Sequence, residues 1–76
     1  MNIVKIKGNT VAFTAANTVG NSVLVRIYAA ATTLVTHTDV GTIIMPADSV
    51  VVLEKGATET LSANAEIVCT PVAYKA

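Results

Sequence analysis

The chain has 76 residues, 53% of them hydrophobic, with five basic and five acidic residues and no net charge. That length admits one domain with a marginal core. A lone cysteine, Cys69, excludes an internal disulfide, and one Cys with one His falls short of the four ligands of a structural zinc site.

β-Branched residues dominate from the start, and they favour pleated, half-buried surfaces. Asn2 to Lys7 alternates, with Val4 and Ile6 on one side, and Gly8-Asn9 supplies a turn signal. Thr10 to Thr14 reads as a second strand with Val11 and Phe13 on one face. Ala15 to Asn21 is a connection of small and polar residues. Ser22 to Tyr28 is the clearest alternating strand: Val23, Val25 and Ile27 form one face, Leu24, Arg26 and Tyr28 the other. Thr33 to Thr38 returns, Asp39-Val40-Gly41 breaks the pattern, and Thr42 to Met45 follows.

Ser49 to Lys55 contains the strongest apolar run, Val50-Val51-Val52-Leu53. Apolar residues on both faces predict a central strand covered from two sides. Lys55 to Thr60 reads as a loop, and Thr58 or Thr60 is placed to cap a helical turn over Leu61 to Asn64. Glu66 to Tyr74 closes the domain, and Pro71 predicts that this strand lies at an edge or carries a bulge. About seven short strands separated by Gly, Asn, Asp and Pro turns predict an all-β domain over residues 1–76, a small antiparallel β-sandwich or barrel.

The chemistry-bearing residues are scattered. His37 and Asp39 share a strand face, yet no activated Ser or Cys accompanies them, so a surface or interface histidine is expected. Cys69 has no neighbouring base and reads as a buried thiol. Asp39, Asp48, Glu54, Glu59 and Glu66 lie in separate segments, and no metal or phosphate motif occurs. No catalytic residue, metal or cofactor is assigned, and an enzyme is not expected. The five basic residues form no stripe, and one Phe and two Tyr without Trp are thin for base stacking, so nucleic acid is not an expected partner. The first residues lack a signal peptide's apolar core, and no apolar run reaches the length of a membrane span. Synthesis in a cytoplasm, without membrane contact, is expected.

What remains is a sparse charge cover. A folded monomer of this mass exposes about 4,400 Å², so each of its charges serves about 440 Å² of surface. Such a domain is expected to be covered by something else, through homo-oligomerisation or a larger partner. Arg26 is the residue of most interest, set in an apolar strand beside Tyr28. Both types are enriched at interface hot spots. Arg26, Tyr28, Glu54 and Lys55 are the candidate polar anchors, with Glu54-Lys55 either a charged partner for Arg26 or simply the mark of the strand's exit.

The stretches Val23-Leu24-Val25-Arg26-Ile27, Asp48-Ser49-Val50-Val51-Val52-Leu53-Glu54-Lys55, Thr58-Glu59-Thr60-Leu61 and Cys69-Thr70-Pro71-Val72-Ala73-Tyr74 together resemble short proteins of tailed bacteriophages, notably those of cyanobacteria. The resemblance spans residues 20–75. It implies a small all-β virion protein, and a capsid decoration or cement protein is the expectation that follows. It would sit on the major capsid protein or another virion protein within a particle assembled in the host cytoplasm. A neck, tail or fibre-associated component is the nearest alternative. A small ligand- or carbohydrate-binding β-module is the second, and it requires a pocket lined by aromatics.

Overall fold

Eight short strands arrange the described part of the chain, residues 3–75 of a computed structural model, into two antiparallel sheets without a helix. They are β1 (Ile3–Ile6), β2 (Val11–Phe13), β3 (Leu24–Ala29), β4 (Thr33–His37), β5 (Gly41–Met45), β6 (Ser49–Glu54), β7 (Leu61–Ala63) and β8 (Ile67–Lys75). Asn2, where the first expected strand begins, lies outside the described residues. The first sheet runs β1-β8-β3-β6, with β2 also on β8. The second runs β5-β4-β7.

Period-2 alternation decides which side chains enter the core. Val25, Ile27 and Ala29 of β3 are buried, and the register sets Ile27 beside Cys69 of β8 and Val51 of β6. Val35 and Met45 close the core from the second sheet, with Leu61 of β7. Full burial of a side chain such as Ile27 stabilises the fold by roughly 1.5–3 kcal/mol. Thr33 is buried as well, and its hydroxyl donates to the Ala31 carbonyl at 2.7 Å, which removes the cost of an orphaned polar group.

Three local expectations are corrected. Leu61 to Ala63 is a strand, not a helical turn. Leu61 exchanges backbone bonds with Asn17, and Asn64 N donates to the Leu34 carbonyl at 3.2 Å, so pairing on both sides holds the segment extended. The valine run of β6 is not central: it pairs with β3 alone and forms one edge of its sheet. Its apolar content therefore reflects an uncovered face rather than cover from both sides.

The third correction concerns Pro71. Its strand, β8, is interior, with β3 along one side and β1 and β2 along the other. Bonding to β3 alternates along β8, and Pro71 stands opposite Val25 at a position whose missing N–H faces the other neighbour. There Lys7 N still donates to the Pro71 carbonyl at 2.8 Å, but residues 8–10 then stand opposite Thr70 alone before Val11 pairs with Cys69. The irregularity that the proline demands is thus carried by the neighbouring strand. Gly8 sits over the ring, where an added Cβ would meet Pro71 Cγ at 3.1 Å.

Past β2 the chain crosses to the second sheet. The Thr14 carbonyl accepts from Ala63 N and covers the outer edge of β7. On the opposite side the sandwich is open, and the free edges of β5 and β6 lie beside each other without pairing.

Candidate assembly surface

The outward face of the first sheet is built by the residues that alternate with the core. Arg26 and Tyr28 project from β3 on that side, Val50, Val52 and Glu54 from β6, and Val68 and Thr70 from β8. The register sets Arg26 between Val52 and Thr70, Tyr28 between Val50 and Val68, and Leu24 beside Glu54. Ile6 of β1, 77% exposed, joins this face opposite buried Val72, and Val50 is 45% exposed. The total accessible surface, 4549 Å², agrees with the size-based expectation, so the charge cover is as sparse as composition implies.

Each anticipated anchor has a definite place. Arg26 is exposed and makes no ion pair among the described residues, including none with Glu54. Glu54 is exposed at the end of β6. Tyr28 is half-buried, and its hydroxyl donates to Asp48 Oδ1 at 2.8 Å. That hydrogen bond, and then the nearby negative charge, hold the Tyr28 phenol above its ordinary pKa. Lys55 departs from the expectation: its side chain is buried at 4% exposure, and Nζ donates to the Gly56 carbonyl at 3.1 Å. Desolvation lowers its pKa, and Glu59 partly opposes that shift. Arg26, Tyr28 and Glu54 share one face, whereas Lys55 turns inward.

His37 finds its partner in Glu59, with Nε2 and Oε1 2.9 Å apart, rather than in Asp39. Asp39 occupies the β4–β5 turn with φ 63°. The same Glu59 oxygen accepts from Gly56 N, and this bond, followed by that to His37, holds the carboxyl below the usual carboxylate range. An added Cβ on Gly56 would stand 2.9 Å from that oxygen, so a larger residue there would displace the Glu59 carboxylate. Glu59 lies far from His37 in sequence, and no local pattern signals the pair. Burial pushes the Cys69 thiol up to about 12. Among the described residues no group of three or more His, Cys, Asp or Glu is placed to hold a metal ion.

The open seam between the sheets forms a groove of about 160 Å³, lined by Val35, Val40, Ile43 and Leu53, with His37 and Thr42 as its polar side chains. Among the described residues no Phe, Tyr or Trp lines it. The chain matches no known protein family, no curated protein and no solved structure.

Proposed function

We propose that this chain is a non-catalytic structural subunit of a tailed-bacteriophage virion, a capsid decoration or cement protein. In this reading it docks on the major capsid lattice through the outward face of its first sheet. The observation that carries the proposal is that face: exposed Ile6 and Val50, half-buried Val52 and Val68, and, near its centre, Arg26, a cation without an ion pair among the described residues. Exposed apolar area of this kind, rimmed by polar groups, marks interaction surfaces. The sequence resemblance supplies the virion as the setting. Docking works by area burial and a few polar anchors, and no bond is made or broken.

Co-sedimentation tests the proposal. Purified chain is mixed with phage heads stripped of accessory proteins, and separately with isolated tails. Saturable binding to heads supports the decoration role, and binding to tails alone moves the chain to the neck or tail. Binding to neither overturns both.

A further inference from the structure

The face just described is small for its task. Four strands at about 4.8 Å spacing, with β3 spanning about 20 Å, give roughly 400 Å² in projection. A standard interface takes about 800 Å² from each partner. One copy supplies about half of that area, and the free edge of β6 offers the means of supplying the rest.

The hydrogen-bonding phase of β6 is fixed by the bond from Lys55 N to the Val23 carbonyl, 2.8 Å. Antiparallel pairing alternates bonded and non-bonded residues. Residues 49, 51, 53 and 55 therefore bond to β3. The N–H and C=O groups of Val50, Val52 and Glu54 point to the free edge, and they have no backbone partner among the described residues. Of the devices that blunt an edge strand, β6 carries no proline, no bulge and no lysine, and its single charge, Glu54, stands at its end. The opposite edge, by contrast, carries exposed Lys5 and Lys7 and the irregular segment at residues 8–10.

We infer that a second copy of this chain pairs with β6 in antiparallel fashion about a two-fold axis through Val52, joining two first sheets into one. Val52 then exchanges both backbone bonds with Val52 of the other copy, and Val50 does so with Glu54, giving about six N–H···O bonds. The partner is a second copy because the outward donors and acceptors of β6 are symmetric about Val52, so the edge is complementary to itself.

The register follows from the side chains. A slip of one residue turns core-facing Val51 and Leu53 to the outside. A slip of two in one direction sets Glu54 opposite Asp48, and like charges directly opposite are destabilising. In the register centred on Val52 the two Glu54 residues stand about 14 Å apart, beyond the screening length of about 8 Å at physiological salt. The same axis brings the two β5 strands toward each other and covers Val40 and Ile43, exposed by 65% and 37%. The two outward faces become coplanar, and their joint area reaches that of a standard interface.

The inference deepens the assembly reading and rests on it, but its test is separate. Two variants, each with one added cysteine, are compared under mild oxidation, with sedimentation velocity run on the unmodified chain. Cα atoms of a bonded antiparallel pair lie about 5.5 Å apart, within disulfide reach. Val52→Cys is expected to form a covalent dimer, and Val50→Cys, offset by four residues from its own copy, is not. Native Cys69 is buried and does not interfere. Val52→Pro removes a donor that bonds only across copies. It is expected to weaken the dimer by at least about tenfold through two lost bonds, with an unchanged far-ultraviolet spectrum. The pairing is overturned by a wild-type chain that stays monomeric at its highest soluble concentration, or by Val50→Cys cross-linking as fast as Val52→Cys. A monomer that still binds heads refutes the pairing alone, and a dimer that ignores heads supports it while refuting the shell reading.

Discussion

Replacing Arg26 with alanine separates the fold from the function of the outward face. The guanidinium is exposed and unpaired among the described residues, and its neighbours across the sheet are Val52 and Thr70. Removing it takes nothing from the core, so unfolding free energy should stay within about 0.5 kcal/mol of wild type. Docking is different. A central arginine in an apolar interface typically costs about 2 kcal/mol or more on truncation, which corresponds to roughly a 30-fold rise in Kd. Denaturant unfolding followed by circular dichroism measures the first quantity, and titration of stripped heads with labelled chain measures the second. Arg26→Lys should recover only part of the affinity, because lysine lacks the planar fork of donors. Equal affinity of wild type and Arg26→Ala for heads would refute the anchoring role. A large loss of stability would instead place Arg26 in the internal packing.

Other consequences concern the interior and the β6–β7 loop. Glu59 is held below its ordinary pKa by Gly56 N and His37, so its contribution is present above about pH 4.5 and is lost as pH falls below that value. Thermal scans of wild type and Glu59→Gln should show a constant gap near neutrality that narrows once the pH falls below about 4.5; a gap that does not narrow in acid contradicts the assignment. Cys69, with a thiol pushed up to about 12, should resist aromatic disulfide reagents in the native state and react fully in denaturant. Fast native reaction would mean that β8 is not buried as described. Ser22 Oγ is buried without a hydrogen-bond partner among the described residues, so Ser22→Ala should leave the melting temperature unchanged or raise it by the equivalent of about 1 kcal/mol. A marked fall would reveal a partner for that hydroxyl.

Much of this fold is legible in the sequence because period-2 alternation survives in the chain. Of the face read as Val23, Val25 and Ile27, the last two are core, whereas Val23 precedes β3 and is exposed; the opposite parity places Arg26 and Tyr28 together on the outward face. Three features escaped that reading for physical reasons. The valine run of β6 signals apolar neighbours on two faces, but a residue string does not distinguish a covered face from an exposed one. Leu61 to Ala63 is too short to show a period, and its strand state comes from pairing with Asn17 and β4. Pro71 correctly announced a disturbed ladder, yet the sequence does not say which strand absorbs it. The site was legible to a lesser degree. Arg26, Tyr28 and Glu54 share a face as their parities require, whereas the inward turn of Lys55 and the His37–Glu59 bond depend on tertiary placement.

The central claim is that this charge-poor domain works by being covered. Cryo-electron microscopy of phage heads incubated with the purified chain tests it most directly. Added two-layer β density is expected at repeated lattice positions, with copies paired across β6 and the outward face of β3 and β6 against the shell. Heads without added density, alongside a chain that remains monomeric in solution, would contradict it.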